Sequence, residues 1–250
     1  MNYKTINMSK YAILSDIHGN LFALTEVIED LNNQNIESII LLGDLIDYGM
    51  QSNEVIECVK DNLSEKIICN IWGNHERAIL TKDFDHFSNQ RGVDSAKFTE
   101  SQLTEESKDY LNKDLIHEGR YEFEIDDKKV LAIHGSLIDY YWKAIFPDNL
   151  NGDYSDFDIV LSGHSHYPHV FQYFYDVDNP DMRNKKSVLF INPGSVGQPR
   201  NHNPNAQYAI LDTDSMSVEL RYVKYPKDKA MALYDGSIDD FYRLRLENGI

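Results

Sequence analysis

Five short segments carry side chains able to bind cations or move protons. Asp16-Ile17-His18-Gly19-Asn20 places a carboxylate and an imidazole two residues apart, and both can turn toward one ion. Gly43-Asp44-Leu45-Ile46-Asp47 adds an Asp able to lend two oxygens to two cations at once. Gly73-Asn74-His75-Glu76 offers a neutral oxygen ligand in Asn74 and a titratable ring in His75. His134-Gly135 and Gly163-His164-Ser165-His166 contribute three more imidazoles, the last two at a spacing that suits adjacent ions. Each segment alone has an ordinary structural explanation: a helix cap, a Gly-Asp turn, a hydrogen-bonded histidine. Their joint occurrence does not. Five of the nine histidines (18, 75, 134, 164 and 166) fall just past predicted strand ends together with Asp16, Asp44 and Asn74, whereas His86, His117, His169 and His202 lack that context.

Two Asp, one Asn and four His, with no Cys, suit divalent ions such as Mn²⁺, Fe²⁺ or Zn²⁺ better than a thiolate zinc or an all-oxygen calcium site. Two such ions about 3.5–4 Å apart would polarise a phosphoryl oxygen and supply a bridging hydroxide at neutral pH. Carboxylates and imidazoles crowded at strand ends need cations to offset desolvation and repulsion.

The elements that must position these groups are legible from periodicity. A β-branched run at 11–15 is followed by apolar residues at 21, 24, 27, 28 and 31, then by a run at 39–42, a candidate helix over 53–61 and a third run at 67–71. That reads as βαβαβ with a parallel sheet, whose functional end is the carboxyl end of its strands. Residues 84–117 are polar and helical in pattern, with a helix start at Thr104-Glu105-Glu106-Ser107, and read as an inserted helical cap. Strands are expected again at 121–125, 129–133, 159–162, 188–192, 207–212 and 217–223, loops at 148–158, 176–186 and 201–205, and helix over 227–246. No repeat or linker divides the chain, so residues 1–250 read as one domain.

Composition narrows the function. Among 250 residues, 24 basic against 41 acidic side chains give a net charge of −17, which excludes a basic nucleic-acid binder held by phosphate contacts. A hydrophobic content of 42% supports a substantial core. No apolar run approaches the roughly 18 residues that span a bilayer, and residues 1–10 are too polar for a signal peptide, so a cytoplasmic protein without membrane contact is expected. Cys58 and Cys69, eleven positions apart, read as reduced core thiols.

The ordered set Asp16-x-His18, Gly43-Asp44-x-x-Asp47, Gly73-Asn74-His75-Glu76, His134-Gly135 and Gly163-His164-Ser165-His166 resembles the calcineurin-like metallophosphoesterase superfamily. Asn192-Pro193-Gly194-Ser195-Val196-Gly197-Gln198-Pro199-Arg200 resembles the closing motif of its small bacterial phosphodiesterase branch. The resemblance implies an α/β fold (α+β in some schemes), a four-layer αββα sandwich of two mixed β-sheets flanked by helices. It implies one metal held by Asp16, His18, Asp44 and His166, a second by Asp44, Asn74, His134 and His164, with Asp44 as the bridge. Two divalent ions are expected, Mn²⁺ first, with Fe²⁺, Zn²⁺ or Ni²⁺ as alternatives.

The expected activity is hydrolysis of a small soluble phosphate ester or nucleotide by in-line attack of the bridging hydroxide, with His75 protonating the leaving oxygen. The acidic field makes nucleic acid an unlikely main substrate. Arg200 is a candidate for a phosphate fork or for an ordinary surface ion pair. Tyr140-Tyr141-Trp142 is a candidate aromatic rim, and residues 171–175 are assigned to packing. Two rival readings are a phosphoprotein (serine/threonine) phosphatase with an open groove and a catalytically silent scaffold of the same fold.

Overall fold

The protein is described here by a computed structural model covering residues 9–250; residues 1–8, which hold most of the polar N-terminus, lie outside the described residues. Ten strands form two five-stranded mixed sheets. In the first, β1 (Lys10–Leu14), β2 (Ser38–Leu41) and β3 (Ile67–Asn70) run parallel, and β9 (Ala206–Asp212) and β10 (Ser217–Val223) extend the sheet antiparallel from β1. In the second, β5 (Lys128–Ile133), β6 (Ile159–Ser162) and β8 (Lys185–Asn192) are parallel, flanked by β4 (Arg120–Ile125) and β7 (His169–Asp176) as antiparallel edges. The near-continuous apolar runs of β1, β2 and β6 follow from this: strands covered on both faces have no reason to alternate.

The two sheets pack face to face through Ile13, Ile40, Leu42 and Leu211 of the first and Val130, Ala132, Leu161 and Ile191 of the second. On the outer face of the first sheet lie α1 (Leu21–Asn32) and α2 (Ser52–Asn62), which bury Leu24, Val27, Val55 and Val59. Asn20 caps α1 by accepting from the Ala23 amide, as its position just before the periodic run predicts. Seven helices are present among the described residues, the others being α3 (Asn74–Thr81), α4 (Gln90–Gln102), α5 (Glu105–Lys113), α6 (Lys227–Met231) and α7 (Phe241–Asn248).

The layered α/β sandwich of two mixed sheets flanked by helices is therefore present, with local departures from expectation. The outer face of the second sheet is covered by irregular chain, which packs Ile145, Tyr154 and Phe157 onto Leu131, Val160 and Phe190. Pro147 and the Asn149-Leu150-Asn151-Gly152-Asp153 run disfavour helix there. The expected single helix over 227–246 is instead α6 and α7, separated by a turn with Gly236 in the left-handed region at φ 92°. Residues 171–175 lie on an edge strand, where Phe171 and Tyr175 pack against the core of the second sheet's outer face, as expected, while Tyr173 and Phe174 are exposed.

Cys69 is buried and its thiol is pushed up to about 12 by desolvation; Cys58 is half-buried on α2. No helix among the described residues is long and apolar enough to cross a membrane.

Because Ile40 is fully buried between the sheets, Ile40→Ala is expected to lower unfolding free energy by about 2–5 kcal/mol. Ile68→Ala, at an exposed position of the neighbouring β3, is expected to cost well under about 1 kcal/mol. Urea unfolding of the two variants checks the contrast.

Candidate metal centre

The loops leaving β1, β2 and β3 meet those leaving β5, β6 and β8 along one edge of the sandwich. Backbone bonds hold them together: His18 N donates to Asp44 O, Gly163 N to His134 O, and Val196 N to Ser15 O. Close approach requires residues without side chains at two points. A Cβ on Gly73 would stand 2.1 Å from Asp44 Oδ1, and one on Gly163 would stand 2.2 Å from Ser15 Oγ. The glycines of both motifs thus let one ligand loop lie against another.

The ligand atoms of Asp16, His18, Asp44 and His166 lie within 4.8 Å of one another, and so do those of Asp44, His134 and His164. Asn74 Oδ1 joins the second group, 2.9 Å from His134 Nε2 and 2.9 Å from His164 Nδ1. All seven expected ligand residues therefore converge, and Asp44 is common to both groups.

The hydrogen bonds show what this convergence demands. His18 Nδ1 faces Ile46 O at 3.1 Å, His134 Nδ1 faces Leu42 O at 2.7 Å, and His166 Nδ1 faces Gln198 O at 2.6 Å. A carbonyl only accepts, so each Nδ1 carries a proton, and the neutral rings of His18 and His166 turn their Nε2 lone pairs into the site. His18 Nε2 and His166 Nε2 consequently face each other at 3.2 Å, while the buried Asp16 Oδ1 has no hydrogen-bond donor. Lone pairs and carboxylate oxygens gathered out of water are repulsive until a cation sits among them. The donor set fits divalent cation binding.

Electrostatics agree. Burial drives His18 and His166 well below the usual imidazole range and His164 to about 4, so these rings are neutral. Burial also works against a charge on His134, but the carboxylates of Asp44 and Asp16 outweigh it and raise its pKa to about 9. Burial would lift Asp44 too, yet the surrounding His134 and His75 hold it well below the carboxylate range. Asp16, by contrast, is raised by its burial.

Backbone strain is concentrated here. Asp16, His18, Asp44, Asp47, Tyr48, His164 and His166 all have positive φ between 48° and 73°. Such left-handed non-glycine residues cost on the order of 1–3 kcal/mol each and persist only where surrounding contacts over-determine them.

Glu76 supplies much of that determination. Its carboxylate accepts from the amides of Gly73 at 2.8 Å, Asp44 at 2.8 Å, Leu45 at 2.7 Å and Ile46 at 3.3 Å. It stitches the loop after β2 to the start of α3. Its burial and the nearby Asp44 carboxylate raise its pKa to about 7. The signal for this role was present as a Glu three residues after a helix-start position, the acidic half of a capping box.

His75 stands beside the cluster with its Nε2 4.0 Å from Asp44 Oδ2, and its Nδ1 donates to Asp47 Oδ2 at 2.6 Å. Above this floor lies a cavity of about 260 Å³ walled by Tyr48, His86, Phe87, Trp142 and Arg200. Arg200 faces the cavity and makes no salt bridge among the described residues, and its Nε is buried without a partner. The surface ion pair is not formed.

Three sequence expectations need correcting. His86, set apart from the site by its context, lines the cavity and stacks on Trp142 at 5.6 Å. Of the aromatic rim, only Trp142 reaches the cavity; Tyr141 is buried in the core and Tyr140 packs against it. The segment 84–117 is not one cap: residues 86–89 and 92 wall the cavity, whereas α5 packs on α2 and receives the Trp72 indole N–H at Leu111 O. The break at Leu103 and Thr104, where both residues are extended, separates the two roles.

Comparison with known proteins bears on this arrangement. The family model described as the calcineurin-like phosphoesterase superfamily domain matches residues 10–216. The uncharacterised protein MJ0912 of Methanocaldococcus jannaschii is 33% identical over 230 residues, 89% of this chain and 90% of that protein. Phosphodiesterase YfcE of Escherichia coli K12 is 24% identical over 218 residues, 84% of this chain and 91% of YfcE. Among solved structures, a metallophosphoesterase from Sphaerobacter thermophilus superposes with a TM-score of 0.73 at 26% identity, covering 98% of this chain and 100% of that one.

Glu76→Gln replaces one acceptor oxygen by an NH₂ that confronts amide donors. The change is expected to cost about 1–3 kcal/mol for each amide left unpaired and to weaken divalent-ion binding. Thermal unfolding with and without added Mn²⁺ reads both effects; an unchanged midpoint and an unchanged metal response would refute the role given to Glu76.

Proposed function

The chain belongs to the calcineurin-like phosphoesterase superfamily, a metal-dependent phosphoric ester hydrolase, and we propose that it cleaves a small soluble phosphate ester, as a phosphodiesterase or nucleotide-type phosphatase with two divalent ions. The observation that carries this reading is the sharing of Asp44 between two buried ligand groups whose imidazoles converge on it. Asp16, His18, Asp44 and His166 would hold one ion, and Asp44, Asn74, His134 and His164 the other, with Mn²⁺ as the first candidate for both. When bound, such a pair supplies Lewis-acid polarisation of a phosphoryl oxygen and a nucleophile at neutral pH.

The remaining chemistry belongs to side chains. His75 holds its Nδ1 proton on Asp47 and presents Nε2 toward the cluster, placed to protonate the oxygen that departs. Arg200, free of carboxylate partners, is placed to fork onto a non-bridging phosphate oxygen. His86, Phe87 and Trp142 limit the volume above the floor, which favours a small ester over a folded phosphoprotein. The name of the YfcE relative, phosphodiesterase, supports the same class, and the net charge of −17 weighs against a polyanionic substrate at long range.

A metal-loaded screen of phosphomonoesters, phosphodiesters and dinucleoside polyphosphates tests the class. Chelation should abolish turnover and Mn²⁺ should restore it. Asp44→Asn should lose more activity than His164→Ala or His18→Ala, because it removes an oxygen from both groups. Full activity in protein stripped of metal would overturn the reading.

His75→Ala should reduce kcat by on the order of 10²–10⁴ on an alkyl ester, the usual span for a positioned acid. The loss on a p-nitrophenyl ester, whose leaving group needs little protonation, should be far smaller, with metal content unchanged. Equal losses on both substrates would remove His75 from the role of proton donor.

A further inference from the structure

α4 reaches into the catalytic end of the sandwich from a segment that its sequence marks only as a polar insertion. Asp47 Oδ1 accepts the Ser95 hydroxyl at 2.6 Å and the Thr99 hydroxyl at 2.8 Å, while Asp47 Oδ2 accepts His75 Nδ1 at 2.6 Å. Ser95 and Thr99 lie four residues apart on one face of the helix, and both are buried, as is Asp47. Two hydroxyls on one oxygen fix the rotation of the carboxylate, so that its second oxygen has one direction open to it. That direction is the imidazole of His75.

We propose that Ser95 and Thr99 are positioning residues for the proton donor: they clamp Asp47, which holds the Nδ1 proton of His75 and aims Nε2 at the substrate. The inference rests on the role proposed above for His75. Asp47 needs such a clamp because its own backbone is left-handed, with φ 73°, so its side chain direction is not set by a regular element. His75 itself has aromatic neighbours, Tyr48 at 4.4 Å and Phe87 at 5.3 Å between ring centroids. These rings restrict where the imidazole sits but offer its Nδ1 no acceptor.

The same helix has a second connection to the site. Asn89 caps it by accepting from the Gly92 amide, and both residues wall the substrate cavity. One helix thus carries the cavity wall at its first turn and the clamp on Asp47 over the next two. The alternative, that the hydroxyls merely satisfy a buried carboxylate, predicts lost stability with no preference among substrates.

The test compares wild type with Ser95→Ala/Thr99→Val under matched Mn²⁺ loading on an alkyl phosphodiester and its p-nitrophenyl counterpart. We expect kcat on the alkyl ester to fall about 10–100-fold, with a loss under about threefold on the p-nitrophenyl ester and no change in bound metal. Thr99→Ser, which keeps the hydroxyl, should retain most of the wild-type rate, whereas Thr99→Val alone, of equal size to threonine, should show part of the split. Added to Asp47→Asn, the two substitutions should change kcat no further, because all act through one carboxylate.

A readout independent of turnover is the downfield Nδ1 proton resonance of His75 in the Zn²⁺-loaded protein, identified by its absence in His75→Asn; it should weaken or shift in the double variant. Equal losses on both substrates, or an unmoved His75 resonance, would overturn the inference. If His75→Ala shows the leaving-group split and the double variant does not, only this inference falls. If wild type shows no metal-dependent hydrolysis, the functional reading falls with it.

Discussion

Everything at the catalytic end depends on one buried carboxylate that belongs to neither ligand group. Glu76 gathers four backbone amides from two separate loops, and a carboxylate is the one side chain with acceptor sites enough for that task. By doing so it sets the path of residues 44–46 against the first turn of α3. Asp44 then receives the His75 amide on Oδ1 at 2.9 Å and keeps Oδ2 facing His18 and His134. The shared ligand, the neutral oxygen of Asn74 and the imidazole of His75 are brought together by this bond set. The exclusion of side chains at Gly73 is its steric counterpart.

The site is unfavourable as polypeptide alone. Seven left-handed non-glycine residues, inward lone pairs on His18 and His166 and an unpaired oxygen on Asp16 all sit at one edge. The apolar layer between the sheets provides the opposing free energy, since Ile13, Ile40, Leu161 and Ile191 are fully buried. This division of labour explains why the strands are so uniformly apolar and the loops at their carboxyl ends so polar. Divalent cation binding relieves the repulsion and is thereby coupled to stability.

Much of this was legible in the sequence, for definite reasons. Strand ends can be read from apolar runs, and a polar residue at a strand end has a predictable address, which is why the seven residues that converge could be singled out. The helices α1 and α2 follow the 3.6 period. What escaped was the support behind those donors. Asp47 was visible only as part of a motif, and Ser95 and Thr99 are ordinary helix residues whose partner lies some fifty positions away. His86 escaped because it follows no strand; it is delivered by the turn between α3 and α4. Outer-layer packing by 137–157 and the edge strand β7 lacked a periodic signal, the first being irregular and the second an aromatic run that alternates only weakly in burial.

The strand order carries a consequence for biosynthesis. β1 lies in the middle of its sheet, between β2 and β9, and its residues 10–13 are paired with residues 209–212. On a ribosome adding about 5–20 residues per second, the chain between them takes roughly 10–40 s to appear. Throughout that interval the nascent βαβαβ unit carries an open edge of unpaired amides and carbonyls on β1, a template for wrong partners. His166 and the Gln198 carbonyl that orients it also emerge late. The first sheet therefore closes only after the second has been synthesised, and the ligand group that includes His166 stays incomplete until that late stretch of chain is in place.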